Sequence, residues 1–272
     1  MSERTRVALL LAVAMLVYGN TLLNGFTFDD FLFVLHNPGV THLSVSQLVQ
    51  PTKASNLFRP VTFGSFALNF ALEGAHPLGY HVVNLLLHAA VTLLLYLVLL
   101  KLLEGVQQGA GVAWAAALLF AVHPIHTEAV ASIVGRAELL AAGFLLAAWL
   151  LHLHDLPALA LTCFALALLS KESAVAFVPL ALAGDFARGK LKPLPRYAWI
   201  AGVAAAYTAL LWKMQGGRFG PAEVNFIDNP LAHIPASLRI LNALRVAGNM
   251  SSCMSTRPHS PATIPIMRFF SM

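Results

Sequence analysis

Apolar residues come in long runs without alternation, at about 7–23, 82–103, 107–122, 137–152, 156–170, 173–186 and 197–213. Such runs are too uniformly apolar for the two-residue pattern of barrel strands, so they predict helices that satisfy their own backbone in lipid. A straight span needs roughly 20 apolar residues and several runs are shorter, so the expected seven spans carry an uncertainty of about one. Residues 24–81 form a polar-aromatic connection that Pro38, Pro51, Pro60 and Pro77 break too often for a single helix. The opening MSERTR followed by VALLLAVAMLVYG mimics a secretory signal, but no small-x-small cleavage site precedes Asn24-Gly25. An uncleaved first span is expected. No internal repeat is evident.

Composition sharpens this to an all-α, multi-pass integral membrane protein: 58% of residues are hydrophobic and 11% charged, with mean hydropathy +0.73. A soluble domain has roughly 25% charged residues. The net charge of +5 is scattered at the ends of apolar runs and reads as topology-setting flanks, not as a nucleic-acid surface. Arg4 and Arg6 precede the first run, and Arg188, Lys190, Lys192 and Arg196 fill the gap before the last. Both places are expected to be cytoplasmic, and a count of seven spans agrees. By the same parity Asp29-Asp30, the segment from His123, Lys171-Glu172 and residues 214–248 all fall on the opposite side, which suggests one active site. Cys163 and Cys253 offer neither metal spacing nor an evident disulfide.

The candidate chemistry lies in the few ionisable residues near apolar runs, where charge is costly. Asp29 or Asp30 is placed to act as a general base, or the two to hold a divalent cation; a helix cap or loop acid is the plainer alternative. Arg59 has the donor fork for a phosphate, or merely shapes a proline-rich loop. His81, Asn84 and His88 share one helix face, which suits ligand binding and helix–helix hydrogen bonding equally. In HPIHTEAVASIVGRAELL, Pro124 fits a first helical turn, and Glu128, Ser132 and Arg136 at i, i+4 and i+8 are expected on one face. Glu128 and Arg136 either pair, or the arginine meets an anionic leaving group. His123 and His126 lack a third ligand at zinc spacing. Lys171-Glu172 is a locally paired turn or a phosphate contact. Trp212, Lys213, Arg218, Phe219 and Phe226-Ile227-Asp228-Asn229-Pro230 name no reaction by themselves.

Taken in order, FDD, N-P, RP, LN-x-x-x-x-G-x-x-P, YH-x-x-N-x-x-LH, HPIHTEAVA-x-x-x-GRAELL, LLSKE and FIDNPLA resemble a known family over about residues 10–248. It is that of the TPR-bearing transmembrane O-mannosyltransferases (the TMTC family) and their bacterial relatives. The resemblance implies a GT-C glycosyltransferase bundle that takes a sugar, most often mannose, from a polyprenyl-phosphate carrier. Transfer inverts the anomeric centre, and protein serine or threonine hydroxyls are the acceptors in eukaryotic members. It further implies Asp30 as base with Asp29 as partner, though the sequence does not rank them. Arg136, Lys171, Arg59, His81 and His88 would bind the donor phosphate or leaving group. His123, His126, Glu128, Glu138 and Glu172 would support them, with a divalent cation possible at Asp29/Asp30. The expected partners are the lipid-linked donor, a protein acceptor and membrane lipids, with no nucleic acid. The expected location is a bacterial inner membrane with a periplasmic active site, or the endoplasmic reticulum in a eukaryote.

The expected organisation is a membrane domain over 1–213 with its first loop at 24–81, then an extramembrane segment over 214–248. Residues 249–272 have no family likeness and are too few for one 34-residue tetratricopeptide repeat. With ordinary codons and a shifted frame this tail reads LSGDYSHNAI, like the family's LS-x-DYS-x-x-x-I, so one base is expected to be missing near the Gly248 codon. Two rivals stand beside catalysis: a non-catalytic anchor for a repeat scaffold, or an inactive truncated fragment. A solute or lipid transporter is disfavoured by the lack of a visible inverted repeat.

Overall fold

The computed structural model describes residues 1–52, 56–217, 235, 237–242, 244, 245 and 248. The chain divides into two units, Met1–Gly220 and Pro221–Met272, and the described candidate site residues all belong to the first. Arg218, Phe219, residues 226–230 and the tail 249–272 with Cys253 lie outside the described residues.

Regular structure among the described residues is helical throughout. α1 (Glu3–Val17) starts at Ser2, whose hydroxyl accepts from the Thr5 amide 3.2 Å away. The proline-rich connection holds the single-turn helices α2 (Pro38–Thr41) and α3 (Val45–Leu48), then α4 (Pro60–Glu73). After it come α5 (Pro77–Leu102), α6 (Gly109–Val122), the short α7 (Thr127–Ala131) and α8 (Arg136–Leu153). α9 (Pro157–Ser170), α10 (Phe177–Ala187) and α11 (Leu194–Met214) follow. Pro38, Pro60, Pro77 and Pro157 each sit in a first turn, where the missing N–H is no loss.

A helix thus underlies each of the seven apolar runs. Two of them, α5 and α8, are long and apolar enough to cross a membrane; α6 with Pro124–Ala131, bent by 48°, makes a third if that pair is one span. α1, α9 and α10 are 15, 14 and 11 residues long, short of a straight span. Helix length and composition therefore support two or three spans, fewer than the seven expected.

α5 is central, packing α1 and α6 on one side and α8 on the other. Ala14, Ala89 and Ala121 form a small-residue contact that lets these helices approach closely, and Leu10 and Tyr96 pack against Ala113 and Ala117 beside it. α8 and α9 form a hairpin that packs with α10 and α11 around Ala148, Phe164, Phe177 and Ile200. The connecting segment folds back onto this frame, with Val34, Val40 and Leu48 against Phe63, Phe66, Tyr80 and Ile133.

Candidate functional site

The segment from His123 does not run as one helix. A 3₁₀ turn over Pro124–His126 leads into α7, and Ser132 then turns extended before α8 begins. Glu128, Ser132 and Arg136 therefore share no continuous helical face, which corrects the expected alignment. The break is built around Gly135: a Cβ there would lie 2.5 Å from the Ala129 carbonyl oxygen and 2.7 Å from that of Glu128. His123 serves the turn through Nδ1, which accepts from the Ile125 amide, while its carbonyl accepts from the Tyr18 hydroxyl at 2.6 Å.

Buried side chains tie this break to the bundle. Arg136 is fully buried; Nε donates to Asn84 Oδ1 at 2.9 Å, Nη1 to the Ser65 carbonyl at 3.2 Å, and Nη2 to the Tyr80 carbonyl at 3.0 Å. The guanidinium also sits 4.8 Å from the Phe66 ring centroid and 5.5 Å from that of Tyr80. Asn84 completes the arrangement by donating to the Ser132 and Ile133 carbonyls. Arg136 thus bonds inward to protein acceptors, forms no pair with Glu128, and does not line the cleft beside it. For Asn84, the stitching alternative is the one seen.

The two neighbouring acids diverge. Asp30 is fully buried: Oδ2 accepts from the Thr27 amide at 2.9 Å and hydroxyl at 3.3 Å, and Oδ1 from the Val134 amide at 3.0 Å. Its carboxylate bridges chain segments 104 residues apart. Asp29 is exposed and lines a cleft of about 630 Å³.

Across that cleft stand Arg59, Glu138 and Lys171. The Thr62 hydroxyl donates to the Ser170 carbonyl at 2.9 Å, fastening α4 to the end of α9. Arg59, three residues before Thr62, then meets Glu172 through both carboxylate oxygens, Nη2 to Oε1 at 2.7 Å and Nε to Oε2 at 3.1 Å. Lys171 is extended, with φ −158° and ψ 140°, and pairs with Glu138 in the first turn of α8, whereas Glu172 opens the 3₁₀ turn that follows. Burial pushes the Glu172 carboxyl up, but the Arg59 hydrogen bonds and the neighbouring cations outweigh it and hold it below the ordinary range.

The rest of the cleft wall is aromatic and apolar, with Glu128 at its edge. His126 lies 4.1 Å from Phe120 and 5.7 Å from His88, centroid to centroid. His88 is buried, its Nε2 3.2 Å from the Ala121 carbonyl, and its Nδ1 has no partner among the described residues. His81 is also sealed in, with Asp30 and Arg136 as the charges near it. A second cavity of about 520 Å³ adjoins the cleft at Phe33 and Phe63 and is lined by His36, Asn37, Gln47 and Gln50. Among the described residues no group of three or more His, Cys, Asp and Glu is gathered as for a metal ion.

Sequence reasoning missed Thr62 and Ser65, although a polar pair three apart in a mostly apolar helix is a readable signal. It also missed a cluster at the far end of α8. There His152 Nε2 lies 2.7 Å from Asp185 Oδ2, both groups buried, and the Tyr197 hydroxyl donates to the same oxygen at 2.8 Å. Nearby, Lys192 and Arg196 pair with Asp155 at 2.7 Å each and hold its carboxyl at about 2, below its ordinary 3.8.

Compared with known proteins, the chain is 32% identical over 247 residues to a "Protein O-mannosyl-transferase F38B6.6" of Caenorhabditis elegans. That match covers 86% of this chain and 35% of the worm protein. It is 38% identical over 160 residues to human "Protein O-mannosyl-transferase TMTC1", covering 55% of this chain and 18% of that one. With the Drosophila melanogaster protein named Tmtc1 it shares 41% over 138 residues, 47% of this chain and 16% of the fly protein. The chain thus spans about a third of the worm relative's length and less of the others. No family model and no solved structure matches it. The likeness links this chain by homology to TMTC-type protein O-mannosyl-transferases.

Proposed function

We propose that this chain carries the catalytic face of a membrane O-mannosyltransferase, with Asp29 as the general base. An acceptor serine or threonine hydroxyl, entering from the Phe33 side, loses its proton to Asp29 as its oxygen attacks C1 of the lipid-linked sugar. The C1–O bond to phosphate breaks, the anomeric centre inverts, and the prenyl phosphate leaves with the bonding pair. Lys171 and the remaining Nη1 of Arg59 offset the charge that grows on the phosphate oxygens. Asp30 acts on Asp29 from behind, fixing the turn through Thr27 and Val134. Arg136 holds the wall of the cleft. The prenyl chain lies along the apolar surface of α5 and α8.

In this reading the bundle is of GT-C type, the further apolar helices complete a multi-pass domain, and the cleft opens away from the cytoplasm. That side is the periplasm in a bacterium and the lumen of the endoplasmic reticulum in a eukaryote. The observation that supports the reading most is that an exposed carboxylate and two cations face one cleft inside a chain homologous to mannosyltransferases.

The test is transfer of labelled mannose from a prenyl-phosphate donor to a serine- and threonine-bearing peptide, with the chain in detergent or vesicles. Asp29→Asn is expected to lower turnover by about 10² or more with folding intact. Full turnover in Asp29→Asn would end the assignment of the base. Absence of transfer in the unaltered chain, with normal membrane insertion, would favour the anchor reading.

A further inference from the structure

We propose that Glu138 competes with the donor's phosphate for the Lys171 ammonium, so that it limits product affinity and helps expel the prenyl phosphate. The proposal rests on the donor site described above and deepens it.

The two ion pairs at the cleft differ in kind. Arg59 meets Glu172 through a two-point fork, and Glu172 does not line the cleft. Lys171 and Glu138 both line it, and the Glu138 side chain keeps 50% of its exposure. A bidentate arginine–carboxylate pair holds its geometry, whereas a lysine is a point charge on a flexible stem. Solvent-exposed pairs of the second kind are worth little, about 0–1 kcal/mol. Release costs little on the other side too, because Glu138 lies in the first turn of α8, where the helix dipole favours a carboxylate. Glu138 is therefore the one of the two acids at these pairs that an anion in the cleft displaces.

The charge change of the reaction gives this exchange a direction. The donor phosphodiester carries one negative charge. Cleavage of its C1–O bond leaves a phosphomonoester with a charge of about −1.5 to −2 at neutral pH, by analogy with other phosphate monoesters. Lys171 and Arg59 alone would hold the product more tightly than the donor. The Glu138 carboxylate beside Lys171 repels a dianionic product more than the singly charged donor, and it takes back the ammonium as the phosphate departs.

Farnesyl phosphate, a sugar-free prenyl monophosphate, is the probe, with its Kd measured on the purified chain alongside thermal stability. Glu138→Gln is expected to tighten binding about two- to fivefold, the scale of one exposed ion pair released. Glu138→Asp, which keeps the charge at the helix start but shortens its reach, should fall between and guards against a folding defect in Glu138→Gln. Lys171→Met should weaken binding. Equal or weaker binding by both Glu138 variants, with Lys171→Met still weakened, overturns the exchange and leaves the donor site standing. No binding by the unaltered chain, or no effect of Lys171→Met, overturns the donor site and this inference with it. Inorganic phosphate that displaces farnesyl phosphate at equal concentration would make this a free-anion site and end the lipid assignment.

Discussion

Arg136 opens α8 and His152 lies in its last turn, some 24 Å away at the rise of an α-helix. Each anchors a sealed polar cluster, Arg136 with Asn84, Ser65 and Tyr80, and His152 with Asp185 and Tyr197. Both are buried, the first a guanidinium among neutral acceptors and the second a histidine–carboxylate pair. They differ in their surroundings: the first lies behind a cleft edged by Asp29, Arg59, Glu138 and Lys171, and the second borders a cavity of only about 30 Å³. A buried charge in an apolar bundle therefore marks a place where helices are fastened, and an open volume beside it decides whether chemistry can follow.

The sharpest way to break that comparison is Arg136→Met. It removes four side-chain hydrogen bonds and deprives Asn84 Oδ1 and two carbonyls of a donor, so a loss of about 3–5 kcal/mol is expected in thermal or denaturant unfolding in detergent. Normal stability with lost transfer would instead make Arg136 a ligand-binding group. Asp185→Asn should cost less, about 1.5–3 kcal/mol, the scale of hydrogen bonds to a charged group, with turnover per folded molecule unchanged. A fall in turnover without a fall in stability would tie the two clusters together. Asp155→Asn is the smallest. The folded-state carboxyl is held at about 2 against an ordinary 3.8, so its contribution is present above 3.8 and disappears as pH falls through about 2. Because the side chain is 62% exposed, only a slight change in acid stability is expected, weakened further by salt.

Much of the frame was legible in the apolar runs, since each became a helix and Pro38, Pro60, Pro77 and Pro157 became helix starts. The number of spans was not, because helix length depends on where turns fall: α6 stops at His123 and α10 at Ala187. Charged motifs drew attention to segments that line the cleft, yet not to how each side chain in them is turned. Sequence alone could not separate Asp29 from Asp30, because neighbours on a turn point different ways and only the Val134 amide, 104 residues on, fixes which is sealed. Nor could it foresee that Arg136 faces inward, which depends on the break at Gly135. His152 and Asp185 stood singly in apolar runs and became visible only as a pair.

The contacts that shape the cleft also impose an order on its assembly. Asp30 waits for Val134, Thr62 for Ser170, and Arg59 for Glu172, separations of 104, 108 and 113 residues. Distant contacts of this kind form late and leave polar groups open until their partners arrive. A ribosome adding about 5–20 residues per second needs several seconds or more to cover such a gap. Throughout that interval the growing chain carries Asp30 Oδ1 and Arg59 without their distant partners at the membrane surface, and any factor that shields nascent membrane proteins would meet it there.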